Sequence, residues 1–302
     1  MFRLAHLSDV HLGPLPPLAW HQFLTKRATG YVNWHYGRAK SMGGSVRRAL
    51  TDDLLAQDPD HIAVSGDLTN LGLDAEIANA ARWLETLGDP SDVSAVPGNH
   101  DAYLRGTLGR ATRVWMPWMT GERVTDAPYP FLRRIGPIGL IGCSSAVAMP
   151  AFVAAGTFGA DQAERLAALL LKAEGEGLFR IVMIHHPPVR GATGHRKRLY
   201  GIDQFRTALS QGGGADLVLH GHTHLPTRAV LDTDRGPVPV VGVSAAGQAL
   251  GGHKPPARYN LFEIERADAW RITQIERGIT QNEGVTEIAR HDLAALAGTS
   301  TI

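Results

Sequence analysis

Short apolar runs that end abruptly in polar residues restrict the fold of this chain more than any other feature. The clearest is Leu217–Leu219, which is followed at once by the histidine-rich block His220–His224. A run of this length next to a glycine predicts a buried strand that ends in a tight turn. Other segments have apolar residues three and four apart, which predicts amphipathic helices between such strands. The alternation of the two patterns predicts an α/β fold, a mixed sheet system flanked by helices.

The predicted elements are spread along most of the length of the chain. Helices are predicted at Val46–Gln57 with Ser45 as its cap, at Asp74–Leu87 with Asp74 as its cap, and at Ala160–Ala173. Strands are predicted at Phe2–Leu7, His61–Ser65, Val93–Val96, Ile138–Gly142, Arg180–Ile184, Leu217–Leu219, Val238–Val243, Tyr259–Glu265 and Trp270–Glu276, the last two as a closing hairpin.

No repeat or low-complexity linker interrupts these patterns, so we expect residues 1–302 to form a single domain. Residues 14–44 are an aromatic and basic insert between the first strand and the first helix. Residues 292–302 are expected to be a loosely attached tail.

Composition excludes several classes of protein. With 30 basic and 29 acidic residues the net charge is only +1, so we expect no specific nucleic-acid partner. Cys143 is the only cysteine, which excludes intramolecular disulfides and cysteine-rich zinc sites, and we expect it to be a buried structural thiol. No apolar stretch approaches the roughly 18 residues of a membrane span, and the N-terminus resembles no signal peptide. We therefore expect a cytoplasmic protein; peripheral membrane contact stays open, and the oligomeric state is unknown.

Five of the predicted strands end in carboxylate, amide or imidazole side chains. Ligands of α/β folds bind beyond the carboxyl ends of the strands, so we expect the five sets to converge. Imidazole suits zinc, iron and manganese, and a thiolate-free set fits a hydrolytic site for two ions better than a structural zinc site. The blocks are D-x-H at Asp9–His11, GD at Gly66–Asp67, GNHD at Gly98–Asp101, HH at His185–His186 and GHTH at Gly221–His224.

Spacing within two of the blocks gives a further expectation. Residues two apart on an extended backbone point the same way, so His222 and His224 are expected to face the cluster together. The same expectation holds for Asp9 and His11.

In this order, the five blocks resemble the calcineurin-like metallophosphoesterase superfamily over Asp9–His224, about three quarters of the chain. The resemblance implies a four-layer α/β/β/α sandwich with two central mixed sheets flanked by helices. It also implies two divalent metal ions, of manganese, iron or zinc. The implied ligands are Asp9, His11 and His224 for the first ion, Asp67 as the bridge, and Asn99, His185 and His222 for the second ion.

The resemblance also implies roles beside the metals. His100 is expected to contact the scissile phosphate and to stabilise developing charge or protonate the leaving group, while Asp101 orients the His100 ring. His186 is expected to shape its loop, and His220 is expected to be structural.

The implied activity is hydrolysis of a phosphodiester by metal-bound hydroxide, and the chain resembles the bacterial cyclic-nucleotide phosphodiesterase branch. An alternative is a pyrophosphatase acting on a nucleotide-sugar or lipid-linked diphosphate. A non-catalytic scaffold is disfavoured, because such relatives are expected to lose ligands. A mononuclear zinc hydrolase is also disfavoured, because one ion does not need so many ligands.

Two basic stretches are candidate substrate contacts. Arg196, Lys197 and Arg198 follow the HH block and are expected to hold phosphate at the rim of the site, with a solvated loop as the alternative. The segment Trp20–Lys40 interleaves aromatic and basic residues. It is expected to be either a helical hairpin packed on the sandwich or a lid that covers the site, stacks a base or contacts a lipid surface.

Overall fold

A computed structural model describes residues 1–38, 42–281 and 284–293 of the protein. Its helices are α1 (Arg27–Asn33), α2 (Gly44–Ala56), α3 (Asp74–Glu85), α4 (Thr107–Trp115), α5 (Ala160–Gly175) and α6 (Ile202–Gln211). Its strands are β1 (Phe2–Leu7), β2 (His61–Val64), β3 (Val93–Ala95), β4 (Phe131–Ile135), β5 (Ile138–Gly142), β6 (Gly156–Thr157), β7 (Phe179–Met183), β8 (Leu199–Tyr200), β9 (Leu217–His220), β10 (Arg228–Thr233), β11 (Gly236–Gly242), β12 (Arg258–Arg266), β13 (Trp270–Thr280) and β14 (Gly284–Asp292).

The strands form two six-stranded mixed sheets, as the resemblance implied. The first has the order β14-β13-β12-β1-β2-β3, and the second has the order β10-β11-β9-β7-β5-β4. Strands β1, β2 and β3 run parallel to one another, as do β5, β7, β9 and β11. The parallel strands of each sheet therefore end at one common edge, where the polar blocks follow them.

Alternate residues of one strand pack on opposite sides of the second sheet. Phe179, Ile181 and Met183 of β7 lie in the larger hydrophobic core with residues of the first sheet, α2 and α3. Val182, between them, lies in a second core with residues of α5 and α6. This period of two buries both faces of the sheet and gives four layers, two helical and two of strands.

Both predicted helix caps are wrong. Ser45 lies inside α2, which is preceded by Gly43. Helix α3 begins at Asp74 and is preceded by Leu73, and the buried carboxylate of Glu76 accepts the Leu73 N–H at 3.0 Å. A glutamate in the first turn thus satisfies a backbone donor at the start of the helix.

The structure describes parts of the two segments that the sequence singled out, the insert and the tail. Residues Trp20–Leu24 form a 3₁₀ turn that precedes α1, and Trp34–Arg38 continue from α1 as a π-helical turn. The predicted tail begins inside β14, and Leu293 is fully buried. Residues 39–41 of the insert and 294–302 of the tail lie outside the described residues.

In the described part of the chain, no helix has both the length and the apolar character that crossing a membrane requires. The cytoplasmic location and the single domain stay predictions. Cys143 is fully buried, and burial raises the pKa of its thiol, in line with a structural role.

Candidate metal centre

The ends of the two sheets present their polar blocks to one another. Asp9 follows β1 of the first sheet, and its Oδ1 lies 3.1 Å from Nε2 of His224, which follows β9 of the second sheet. Asp67 follows β2, and its Oδ2 lies 3.4 Å from Nε2 of His185, which follows β7. The five blocks therefore meet at one point, as the sequence predicted.

The first group of donors consists of Asp9, His11 and His224. Nε2 of His11 lies 3.4 Å from Nε2 of His224 and 4.0 Å from Oδ1 of Asp9. All three side chains are buried. Oδ1 of Asp9 has no hydrogen-bond partner among the described residues, although Nε2 of His224 is close. A buried carboxylate oxygen without a donor, surrounded by imidazole nitrogens, fits a cation that these atoms share.

The second group consists of Asn99, His185 and His222. Oδ1 of Asn99 lies 3.2 Å from Nε2 of His185 and 2.9 Å from Nδ1 of His222. Asp67 lies between the groups, since its Oδ2 is 3.7 Å from Nε2 of His11 and 3.4 Å from Nε2 of His185. The seven predicted ligands are thus together, and the donor set of carboxylate, amide and imidazole fits two divalent ions.

Backbone carbonyls fix the histidine tautomers. Nδ1 of His11 lies 3.1 Å from the Thr69 carbonyl, and Nδ1 of His185 lies 2.7 Å from the Ser65 carbonyl. His222 is turned the other way, with Nε2 2.9 Å from the Lys197 carbonyl. Each carbonyl accepts the ring N–H, so in the neutral ring the nitrogen that faces the cluster carries a lone pair, as a metal ligand must.

Backbone strain is concentrated at the cluster. Seven non-glycine residues of the described chain have positive φ, and five of them are predicted ligands: Asp9 (53°), His11 (43°), Asp67 (56°), His222 (68°) and His224 (57°). The left-handed conformation of a non-glycine residue costs roughly 1–2 kcal/mol. The prediction of an extended backbone at these residues is therefore wrong, although Asp9 and His11, and His222 and His224, do converge on the cluster.

Two of the block glycines make room for the carboxylates. A side chain at Gly98 would overlap Asp67, and one at Gly221 would overlap Ser8 and Asp9. Their role in the structure is to let the ligand-bearing loops approach each other.

Electrostatics keep both carboxylates ionised. Burial alone would raise the pKa of Asp9 and of Asp67, but neighbouring histidines outweigh burial and lower both values. For His185, burial opposes the charged form, yet Asp67 raises the pKa to about 9. Burial holds the pKa of His222 well below its usual value. The site is therefore an anionic pair of carboxylates among imidazoles, suited to cations.

His100 lies directly beside the cluster and its ring is held by a backbone carbonyl, whereas the Asp101 carboxylate binds backbone N–H groups. The backbone N–H of His100 donates to Oδ1 of Asp67 at 2.8 Å, and Nδ1 of the His100 ring lies 2.5 Å from the Asn70 carbonyl. The Asp101 carboxylate accepts the backbone N–H groups of Thr69 and Gly98, each at 2.9 Å. Asp101 thus positions the loops that carry Asp67 and Asn99, and the Asn70 carbonyl holds the His100 ring.

A model of the calcineurin-like phosphoesterase family matches residues 2–226, about three quarters of the chain. The chain belongs to this family. It is therefore a hydrolase of phosphoric esters, and the family is dimetal-dependent, which agrees with the donor set.

Two relatives from Synechococcus are each named a probable cyclic nucleotide phosphodiesterase. The one from strain ATCC 27144 is 25% identical over 89% of this chain and 89% of its own length. The one from strain WH7803 is 29% identical over 74% of this chain and 75% of its own.

Solved structures with the same fold include a dimetal phosphatase from Danio rerio. It superposes with a TM-score of 0.61 at 12% identity, over 96% of this chain and 98% of that one. A purple acid phosphatase from yellow lupin gives a TM-score of 0.56 at 13% identity, over 95% of this chain and 53% of that one. At these identities the likeness concerns the fold alone.

The three rim residues of this phosphoesterase point to different places. Lys197 lines a cavity of about 230 Å³ together with Asn99 and His100. Arg198 lies over the Tyr200 ring, 4.4 Å from its centroid, and lines a separate cavity of about 370 Å³. Arg196 is exposed and lines neither cavity.

Histidines outside the ligand set have structural contacts. Nδ1 of His186 lies 2.8 Å from Oγ of Ser145, and its Nε2 lies 3.1 Å from the Ala154 carbonyl, so His186 ties the segment that carries Ser145 and Ala154 to the end of β7. Nδ1 of His220 lies 2.9 Å from the Gly221 carbonyl.

The sequence missed part of the cavity beside His100. Lys26 lines it from the insert, and Tyr103 and Phe152 line it from two other loops. Lys26 belongs to the aromatic and basic segment singled out in the sequence, but nothing in the sequence marked Phe152.

Proposed function

We propose that this phosphoesterase hydrolyses phosphodiesters at a dinuclear centre, with a cyclic nucleotide as the leading candidate substrate. The observation that carries the proposal is the position of Asp67 between two groups of donors, because a carboxylate shared by two cation sites is what a dinuclear hydrolase needs. The names of the two Synechococcus relatives support the cyclic nucleotide.

Each residue then has a role in binding or positioning. Asp9, His11 and His224 would hold one ion, Asn99, His185 and His222 the other, and Asp67 would bridge them. When bound, divalent ions would supply an activated water and neutralise negative charge on the phosphate oxygens. Imidazole and carboxylate donors suit manganese, iron or zinc.

His100 would act on the substrate. The Asn70 carbonyl accepts the N–H of Nδ1, so Nε2 is the nitrogen left for the substrate, and it can donate to a phosphate oxygen when the ring is protonated. A histidine held in this way can stabilise the charge that develops or give its proton to the leaving oxygen.

The test uses metal-stripped protein to which manganese, iron or zinc is returned. We expect metal-dependent cleavage of bis-p-nitrophenyl phosphate, with slower or no cleavage of p-nitrophenyl phosphate. His222→Ala should lower this activity by at least about 100-fold, more than loss of an outer partner of a ligand usually does. The matched control is His253→Ala at an exposed histidine outside the site, which should retain wild-type activity.

Cleavage of the monoester alone would overturn the diesterase assignment. If the diester is cleaved, the rates of hydrolysis of cyclic nucleotides are next compared with those of nucleotide-sugar and lipid-linked diphosphates. The lipid-linked alternative is favoured by one observation, the exposed apolar side chains of the insert, where Trp20, Leu24 and Tyr36 are 79%, 80% and 85% exposed.

A further inference from the structure

The cavity of about 230 Å³ adjoins the candidate metal centre, since His100 and Asn99 form part of its wall. Its remaining wall has a polar side and an apolar side. Lys26 and Lys197 contribute cationic groups, whereas Met149 and Phe152 contribute apolar surface. A ligand that places a phosphate at the metal centre would therefore extend an attached group into this cavity.

One end of the cavity is rigidly built. The Lys26 ammonium donates to the Met149 carbonyl at 2.6 Å and lies 4.5 Å from the centroid of the Tyr103 ring. The Tyr103 ring also lies 5.9 Å from the His100 ring, with an angle of 33° between their planes. The insert, the Tyr103 loop and the Met149 loop thus hold one another in place next to His100.

The other end is formed by Phe152, which is unusual in two respects. Its side chain is 74% exposed, although it is large and apolar. It is also the third residue of a turn closed by the Val153 N–H donating to the Pro150 carbonyl, and its φ is 65°. Glycine or asparagine ordinarily occupies such a position. Bulky residues with this backbone conformation are concentrated at ligand clamps and active sites.

The size of the cavity limits what it can hold. Pockets for drug-sized ligands usually measure about 300–1,000 Å³, so this one suits a part of a substrate of about one ring system. A flat ring would cover the exposed face of Phe152.

We propose that this cavity binds one aromatic ring of the substrate, a nucleobase or an aryl ester group, and that Phe152 stacks on that ring. The inference rests on the proposed phosphodiesterase function and specifies its substrate class as phosphoesters that carry a ring. It also gives the insert a function, because Lys26, Thr29 and Asn33 complete the wall.

Binding calorimetry on the manganese-loaded protein tests the proposal with phenyl phosphate and methyl phosphate, which share the phosphate and differ in the ring. We expect phenyl phosphate to bind more tightly than methyl phosphate. Phe152→Ala should weaken phenyl phosphate binding about tenfold, in keeping with the loss of one stacking contact, and leave methyl phosphate unchanged. Phe152→Tyr should restore the preference.

Trp20→Ala is the matched control, since Trp20 is an equally exposed aromatic residue that does not line the cavity. Equal effects of Phe152→Ala on the two ligands, or none on phenyl phosphate, would overturn the proposal. If one of these results is obtained while the wild-type protein cleaves bis-p-nitrophenyl phosphate, the proposed ring site has failed but the proposed function stands. If the wild-type protein binds neither ligand and cleaves no diester with any metal, the proposed function has failed as well.

Discussion

Asp101 is a single residue on which the backbone around several ligands depends. Its carboxylate accepts the N–H groups of Thr69 and Gly98 at 2.9 Å and of Leu68 at 3.3 Å, all in a fully buried position. An unsatisfied buried N–H costs about 1–3 kcal/mol. Asp101→Ala should therefore lower the free energy of unfolding by about 3 kcal/mol, measured by urea denaturation of the metal-free protein.

The same substitution should lower manganese affinity about 10- to 100-fold, as loss of an outer partner of metal ligands usually does. Asp101→Asn keeps an acceptor oxygen and should show a smaller effect on both quantities. If Asp101→Ala and Asp101→Asn both have the free energy of unfolding and the manganese affinity of the wild type, Asp101 does not position the loops.

At the scale of elements, α1 approaches the cavity closely because Gly30 has no side chain. A Cβ at Gly30 would overlap the Tyr103 hydroxyl and Leu71, whereas one at Gly109 in α4 would meet nothing within 4 Å. Gly109→Ala should raise the free energy of unfolding by about 0.5–1 kcal/mol, because alanine favours a helix over glycine.

Gly30→Ala should instead displace α1 and increase amide hydrogen exchange in residues 20–38, while exchange in β1, β7 and β9 stays unchanged. Protection of residues 20–38 equal to that of the wild type would show that α1 does not depend on this approach.

Strand β2 carries a buried histidine that makes stability depend on pH. Burial lowers the pKa of His61 from 6.5 to about 3, and its Nε2 lies 2.8 Å from Oγ of Ser94. The unfolded chain takes up a proton below about pH 6.5 and the folded chain only near pH 3, so protonation favours unfolding across that interval. Stability should fall as the pH falls from about 6.5 towards 3, by at most about 1.4 kcal/mol per unit for this residue.

Urea denaturation of metal-free wild type and His61→Gln at pH 7 and pH 5 measures this contribution. The stability difference between the two proteins should shrink at pH 5, because the variant has no group to protonate there. A difference that is the same at both pH values would show that His61 is not the titrating group.

The elements that the sequence predicted well are those whose apolar runs are fully buried. Strands β1 and β5 have the predicted bounds. Every residue of β5 is buried, and so is every residue of β1 except Arg3. The missed strands β4, β10 and β14 lie at the edges of the sheets, and each of them contains exposed positions. Half-exposed edge strands carry charges and therefore lack the apolar run on which recognition depends.

The site shows the same division. The convergence of the polar blocks could be predicted because each block follows the end of a strand, whereas the assignment of individual ligands came from the family resemblance. Lys26 and Phe152 could not be predicted, because they meet only through packing between loops more than a hundred positions apart. The His100 ring contact was missed for the same reason, since the Asn70 carbonyl is a backbone group that no residue type reveals.

For the whole molecule, the candidate metal centre joins the two sheets. Asp9 and Asp67 follow strands of the first sheet, while His185 and His224 follow strands of the second. Ions held by both pairs would link the sheets at the edge where their parallel strands end. Loss of metal should therefore affect global stability as well as activity.

The thermal unfolding midpoint tests this coupling. A ligand at 100 times its dissociation constant adds about 2.7 kcal/mol if it binds only the folded state, which raises the midpoint of a chain this long by roughly 5 °C. We expect that rise when manganese is returned to metal-stripped wild-type protein. Asp67→Asn removes the shared carboxylate, whose lowered pKa shows that its charge stabilises the folded metal-free protein, so without metal the variant should unfold at or below the wild-type midpoint. With manganese it should gain little, whereas His253→Ala should gain as much as the wild type. If saturating manganese does not change the thermal unfolding midpoint of the wild type, the ions do not hold the two sheets together.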